Sequence, residues 1–251
     1  MANRNNIEML KIKEMILRDK EAEIYDKLIS TYQHHVEIDS IIEKLNPKEG
    51  EIILDLGCGT GRIAHKLISA GCKVVGLDFS IKSLKVCRAR CSVGQSRGDK
   101  ICLIRADACN LPFEDDSFDK CISSQVLQHI PSENERLKML YEVRRVLKRN
   151  GKFVLTTYNY SLRKIVGRKK ETTKNVNLYA YRYDFIELKK TISSVFKGNV
   201  KIVGILNLNH WLPRNMLNAF ETVFAPFDRS LEKTPFCYFL AHLLLVECKK
   251  I

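Results

Sequence analysis

Three glycines between an apolar run and a helical segment constrain this chain more than any other feature. Residues 51–56 are mostly aliphatic and predict a buried strand, and residues 61–70 have the apolar spacing of a helix. Between them stand Gly57, Gly59 and Gly61. Glycines at such a junction let the backbone approach a ligand, and the helix that follows presents unpaired N–H groups. The junction is therefore either a ligand-binding loop or a tight turn without a ligand.

The order of the predicted elements indicates the fold class. A helical lead-in covers residues 7–45. Further strands are predicted at 73–78, 101–105, 119–124 and 152–158, with helices at 80–91, where Ser80 is a candidate N-cap, and at 133–149. Such alternation is typical of the α/β class, with a mostly parallel sheet and helices on both faces.

The second half of the chain shows a less regular pattern. Residues 161–177 are rich in Lys and Arg, and we expect an exposed loop or cap there. Beyond it we expect helices at 184–195 and 213–224 and strands at 200–208 and 239–248.

Acidic residues follow two of the predicted strands and narrow the choice of ligand. Asp78 ends the second strand, where a carboxylate of a Rossmann-like unit binds ribose hydroxyls. Asp107 follows the third strand. A dinucleotide fingerprint, G-x-G-x-x-G, would need a third glycine where Arg62 stands. The pattern therefore disfavours a nicotinamide or flavin dinucleotide.

The stretch LDLGCGTG at residues 54–61 resembles motif I of the class I S-adenosylmethionine-dependent methyltransferases, in the form of the type 11 (ubiquinone/menaquinone-biosynthesis-like) group. Residues 111–119, LPFEDDSFD, are similar to a second segment of that group. The resemblance implies a Rossmann-like, seven-stranded sheet with S-adenosylmethionine as cofactor, and it assigns Asp107 to the adenine amino group. The cofactor contacts that we expect are Asp55, Gly57, Cys58, Gly59, Gly61, Asp78, Phe79, Asp107, Ala108 and Gln125.

The same resemblance suggests a division of the chain into three parts. We expect a helical N-terminal cap over residues 1–50, a cofactor-binding core over 51–158, and an acceptor-side segment over 159–251 that completes the sheet.

The acceptor should face the end of the fourth strand, because reactants in open α/β sheets meet beyond the carboxyl ends of the strands. His129 is the imidazole nearest that point, as a candidate general base or as a packing residue. Candidate substrate contacts are Tyr25, Tyr32, Tyr158, His210 and Trp211. An apolar pocket wall is expected from Phe185, Ile186, Trp211, Leu212, Met216, Phe220, Phe224 and Phe227.

Composition leaves the acceptor class open. Lys and Arg number 42 against 29 Asp and Glu, which favours anionic partners, so RNA is an alternative to a small-molecule or lipid-like acceptor. A non-catalytic cofactor-binding module is a third hypothesis. The scattered cysteines and the absence of a signal or spanning segment predict a cytoplasmic protein. Asp115 and Asp116 fit an exposed acidic turn, so no metal is expected.

Overall fold

The computed structural model describes residues 4–92, 101–165, 167–174, 178–210, 212–234 and 237–251. Within these ranges no helix is both long enough and apolar enough to cross a bilayer. All nine cysteines are free thiols.

The strands form a main sheet and a small hairpin. Their bounds are β1 (Ile52–Leu56), β2 (Lys73–Asp78), β3 (Cys102–Arg105), β4 (Phe118–Ser124), β5 (Leu147–Tyr158), β6 (Glu171–Lys174), β7 (Leu178–Tyr181), β8 (Lys201–Ile205) and β9 (Leu243–Lys249). The main sheet has seven strands in the order β3-β2-β1-β4-β5-β9-β8, and β6 pairs with β7. Strands β1 to β5 are parallel, and only β9 runs antiparallel to its neighbours β5 and β8. This is the predicted fold class.

The helices lie before, between and after these strands. Their bounds are α1 (Arg4–Glu21), α2 (Tyr25–Leu28), α3 (Thr31–Leu45), α4 (Arg62–Ser69), α5 (Ile81–Cys91), α6 (Glu133–Val146), α7 (Ser161–Ile165), α8 (Phe185–Val195), α9 (Arg214–Ala219), α10 (Glu221–Leu231) and α11 (Cys237–Leu240). Ser80 caps α5 as predicted, because its Oγ accepts a hydrogen bond from the Ser83 N–H at 3.1 Å.

The core lies on both faces of the main sheet. Leu54 and Leu56 of β1 pack into the cluster that includes α6 and α8, whereas Ile53 faces the cluster that includes α3, α4 and α5. Successive residues of a strand point to opposite faces, so a strand covered on both sides must be apolar throughout. Four of the five residues of β1 meet that requirement, and the exception, Asp55, is a buried carboxylate near the carboxyl end of the strand.

Four of the predicted boundaries are wrong. Helix α6 ends at Val146 and not at residue 149, because Leu147 is extended and pairs with Phe118 of β4. The expected exposed loop or cap at 161–177 contains α7 and β6, whose Thr residues favour a strand; β6 pairs with β7, which begins beyond residue 177. The expected helix at 213–224 is broken at Phe220 into α9 and α10, and Phe239 lies in α11, before the last strand.

One buried carboxylate joins the C-terminal helices to the N-terminal ones. Asp228 of α10 accepts hydrogen bonds from the Tyr32 hydroxyl of α3, from the backbone and side-chain nitrogens of Asn207 at 2.8 and 2.9 Å, and from the Leu208 N–H at 3.2 Å. The Asp228 side chain is fully buried. Its removal would leave several buried donors without an acceptor.

We therefore expect Asp228→Ala to lower the free energy of unfolding by about 3 kcal/mol. The exposed Asp115→Ala should change it by less than about 0.5 kcal/mol. Urea unfolding followed by circular dichroism measures both. Equal stabilities of the two variants would contradict the role assigned to Asp228.

Candidate functional site

The glycine loop lies at the carboxyl end of β1, in the middle of the main sheet. Gly57 and Gly59 have φ angles of 73° and 51°, in the left-handed region that favours glycine. A Cβ on Gly57 would lie 2.2 Å from Cγ2 of Val126, whereas a Cβ on Gly59 would meet no atom within 4 Å. The loop therefore packs tightly against β4's end at Gly57 and leaves open space at Gly59.

Two buried carboxylates flank this loop. Asp78, at the end of β2, accepts hydrogen bonds from the Gly59 N–H at 2.9 Å and the Ser80 N–H at 2.8 Å. Burial raises the pKa of Asp78, and these backbone bonds oppose the rise. Burial also raises the pKa of Asp55 to about 7, and its Oδ2 has no hydrogen-bond partner among the described residues. A cationic ligand would satisfy this carboxylate.

A cavity of about 110 Å³, the loop cavity, adjoins the loop. The predicted cofactor contacts that line it are Asp55, Gly57, Cys58, Gly59, Asp78, Phe79, Ala108 and Gln125. Gly61 and Asp107 do not line it. Gly61 approaches α5 instead, where a Cβ would lie 2.5 Å from the Cys87 Sγ, and Asp107 bonds a lysine of α1.

A second cavity of about 530 Å³, the outer cavity, shares Arg18, Tyr25, Gln125 and His129 with the loop cavity. It is also lined by Glu37, Tyr158, Asn159, Arg182 and His242. The shared residues form the boundary across which a group would pass from one cavity to the other.

Gln125 is fixed at this boundary. It directly follows β4 at the carboxyl end of that strand, and its φ angle of 56° is unusual for a residue other than glycine. Its Nε2 donates to the buried Glu37 at 2.7 Å, and Glu37 also accepts hydrogen bonds from Ser124 and Thr156. The orientation of Gln125 is therefore set before any ligand binds.

His129 is neutral at this site. Its Nδ1 lies 2.9 Å from the Tyr179 carbonyl oxygen, which can only accept, so the hydrogen-bond network assigns the proton to Nδ1. Its Nε2 is then the acceptor for Nη2 of Arg18 at 3.3 Å. Burial, together with the charges of Arg18 and Arg182, lowers the pKa of His129 to about 3. In this arrangement the imidazole is a weak proton acceptor.

Helix α1 covers both cavities through polar contacts that the sequence prediction missed. Lys11 bonds Asp107 at 2.8 Å and Glu135 at 2.5 Å, and Arg18 pairs with Glu14 at 2.8 Å. The spacing of Lys11, Glu14 and Arg18 places them on one face of a helix, and that signal was present in the sequence. The loop cavity is smaller than the roughly 300–1,000 Å³ of small-molecule sites, so it has to widen to admit a nucleoside, and α1 is one of its walls.

Asp107, Cys109 and Glu135 also form a group whose potential metal-ligand atoms lie within 4.8 Å of one another. The Lys11 ammonium bonds both carboxylates. The hydrogen bonds from Lys11 and the Cys109 N–H hold the pKa of Asp107 below its usual value, although burial raises it. The Lys11 ammonium thus already supplies the positive charge that these acidic side chains could otherwise take from a metal ion.

The predicted acceptor contacts have different outcomes. Tyr25 lines both cavities and Tyr158 lines the outer cavity. The prediction for Tyr32 is wrong, since this residue is fully buried and its hydroxyl bonds Asp228. Trp211 and the side chain of His210 lie outside the described residues.

The predicted apolar pocket wall is also absent from these two cavities. Phe185 stacks on Tyr238, and Ile186 is exposed, as are Met216 of α9, Phe220 between α9 and α10, and Phe227 of α10. None of the described members of that set lines the loop cavity or the outer cavity.

Comparison with known proteins agrees with this geometry. A family model described as a methyltransferase domain matches residues 54–155. A chloroplastic 2-phytyl-1,4-beta-naphthoquinone methyltransferase of Arabidopsis thaliana is 34% identical over 155 residues, which are 58% of this chain and 58% of that protein. A tRNA (carboxymethyluridine(34)-5-O)-methyltransferase of the same plant is 37% identical over 108 residues, 43% of this chain and 24% of that protein.

The fold is shared over a longer stretch. An S-adenosylmethionine-dependent methyltransferase from Mesorhizobium loti superimposes with a TM-score of 0.64 at 19% identity, covering 86% of this chain and 98% of that one. The fold and the glycine-loop site thus define a Rossmann-like methyltransferase domain. The predicted resemblance to the class I S-adenosylmethionine-dependent methyltransferases of the type 11 group is confirmed over residues 54–155, the stretch that the methyltransferase-domain model matches.

The residues of the loop cavity fit the cofactor of that family. S-adenosylmethionine is a nucleoside that carries a sulfonium and an ammonium charge. The buried, unpartnered oxygen of Asp55 matches a cation, and the open space at Gly59 allows a ligand to approach the backbone. When bound, the cofactor supplies an activated methyl group.

We expect Asp78→Ala to weaken binding of S-adenosylmethionine by about 1–3 kcal/mol, because the loop loses its backbone acceptor and the ribose loses a charged partner. Isothermal calorimetry measures the loss. Asp115→Ala, a change at an exposed carboxylate, is the matched control and should leave the affinity unchanged. Equal losses in both variants would mean that the site lies elsewhere.

The affinity for S-adenosylmethionine should rise with pH through about 7. Burial raises the pKa of Asp55 in the free protein, whereas a bound cation favours the ionised carboxylate, so binding releases a proton. Calorimetry at several pH values measures this dependence. Asp55→Asn should flatten it, and adenosylhomocysteine, which lacks the sulfonium charge, should show a smaller dependence. An unchanged pH profile in Asp55→Asn would refute this assignment.

Proposed function

We propose that this protein transfers a methyl group from S-adenosylmethionine to a small-molecule acceptor bound in the outer cavity. The observation that carries the proposal is the shared boundary of the two cavities at Tyr25, Gln125 and His129. Methyl transfer from a sulfonium is an in-line displacement, so its rate depends on holding the donor sulfur and the acceptor atom on opposite sides of the methyl carbon.

The chemistry of the outer cavity supports a polar, ring-bearing acceptor. Tyr25, Tyr158 and His242 supply aromatic surface, and Arg182 and Glu37 supply charged groups. A cavity of about 530 Å³ fits a small molecule. One of the relatives is named for a phytyl-substituted naphthoquinone, a ring-bearing molecule, which agrees with this choice.

Glu14 is the residue that we propose as proton acceptor. Its carboxyl group lines the loop cavity and not the outer cavity, but it pairs at 2.8 Å with Arg18, which borders both, so the acceptor would have to reach the boundary to pass its proton to Glu14. Oε2 of Glu14 has no partner in the described part of the chain. Burial raises the pKa of Glu14 to about 7, although Arg18 opposes the rise. The cofactor, held by the residues of the loop cavity, would supply the activated methyl group, and Glu14 would take the proton that the acceptor loses. His129 then acts as a positioning residue through Arg18.

A direct assay distinguishes the proposed function from two alternatives, an RNA methyltransferase and a non-catalytic cofactor-binding module. Protein, labelled S-adenosylmethionine and a panel of phenolic, quinol and amine compounds are incubated in parallel with unmodified tRNA, and products are identified by mass spectrometry. We expect a methylated small molecule. Methylation confined to tRNA would favour the RNA alternative, and cofactor binding without any product would favour a non-catalytic binding module.

We expect Glu14→Gln to lower kcat on the order of 10²-fold at pH 8 and to remove the rise of kcat through about pH 7. The amide keeps the shape of the side chain but cannot accept the proton. Glu8→Gln, an exposed change on the same helix, is the matched control and should leave the pH profile unchanged. A Glu14→Gln variant that retains the wild-type inflection would exclude Glu14 as the acceptor.

A further inference from the structure

Three neighbouring helices each expose a large apolar side chain at one corner of the protein. The exposed fractions are 71% for Ile165 of α7, 77% for Ile186 of α8 and 45% for Phe239 of α11. The helices meet because α7 packs against α11, and because Phe185 stacks on Tyr238 with ring centroids 4.7 Å apart. Ile186 and Phe239 directly follow the two stacked residues in the sequence. The three exposed side chains are thus carried by helices that contact one another, and we call them the apolar patch.

Exposed basic side chains lie within four residues of Ile165 or Ile186 in the sequence. They are Lys164, Arg168, Lys169, Lys189 and Lys190. No ion pair identified among the described residues involves any of them, whereas the nearby Glu187 pairs with Lys170. The corner therefore joins an apolar centre to an excess of positive charge. We call these eight residues the basic–apolar corner.

We propose that the basic–apolar corner docks on an anionic phospholipid surface. Surfaces that bind membranes peripherally insert apolar side chains at the headgroup boundary and place Lys or Arg against anionic lipid. Nucleic acids are bound through phosphate contacts and aromatic stacking, and two of the three apolar side chains, Ile165 and Ile186, offer neither; only Phe239 has a ring. The apolar centre therefore favours lipid over RNA, although both are anionic.

The corner adjoins the outer cavity. Asn159 lines that cavity, and its Nδ2 donates to the carbonyl oxygens of Tyr238 at 2.6 Å and Ala241 at 2.9 Å, on either side of Phe239 in the sequence. Docking would place the acceptor cavity beside the lipid surface. This last consequence rests on the proposed function, whereas the docking itself does not.

Co-sedimentation of the full chain with vesicles tests the proposal. Vesicles of phosphatidylcholine alone are compared with vesicles that also contain phosphatidylglycerol, and we expect binding to the anionic vesicles that weakens with added salt. Each of Lys164→Gln, Lys189→Gln and Lys190→Gln should weaken binding about fivefold, the equivalent of about 1 kcal/mol per basic residue.

The combined variant Ile165→Ser, Ile186→Ser and Phe239→Ser should weaken vesicle binding by at least about tenfold. Its matched control is Val223→Ser with Phe227→Ser, which removes two side chains of α10 that are 63% and 56% exposed, and it should bind as wild type. Thermal unfolding of both variants checks that they are folded, and the single Lys variants provide an independent test.

Three results would overturn the proposal. The first is absence of binding to anionic vesicles, and the second is an equal loss of vesicle binding in the apolar variant and in its α10 control. The third is binding of tRNA that the Lys variants weaken, together with an apolar variant that binds both tRNA and vesicles as wild type does. Failure of the proposed function is distinguishable, since it appears as vesicle binding without methyl transfer to any small molecule. Methyl transfer to a water-soluble acceptor without vesicle binding would reject the docking surface alone.

Discussion

The bond between the Asp78 carboxylate and the backbone of the glycine loop is the contact on which the site depends. Asp78 ends β2 and holds the Gly59 N–H, while its other oxygen holds the Ser80 N–H at the start of α5. Parallel neighbours β1 and β2 end at the same edge of the sheet, so this one side chain fixes the loop that follows β1 relative to the helix that follows β2. The cavities on that edge take their shape from this arrangement.

The sequence predicted the parts of the site that are local in the chain. Glycines at a strand–helix junction and an acidic residue at a strand end leave signals within a few positions, because their backbone conformation and neighbours are local. Asp55, Gly57, Gly59 and Asp78 accordingly lie where they were expected. The aliphatic runs likewise predicted the seven strands in outline, since a sheet covered on both faces requires them.

Residues whose position depends on distant contacts were not predictable in this way. Tyr32 is of a residue type that suits a substrate contact, but its hydroxyl donates a hydrogen bond to the buried carboxylate of Asp228, almost 200 positions away. Leu147 continues a helical pattern, yet pairing with Phe118 draws it into β5. Glu14 and Arg18 gain their role only because α1 lies across the carboxyl edge of the sheet. Propensity is a weak prior where tertiary contacts compete with it.

Helix α1 borders both cavities. Its Lys11 holds Asp107 beside the loop cavity, and its Arg18 borders the loop cavity and the outer cavity alike. Because α1 borders both cavities, an outward movement of this helix as a rigid body would open both at once. Entry of the donor and release of the demethylated nucleoside would then be linked to exposure of the acceptor cavity. Exchange of both ligands would then depend on the same movement of one helix.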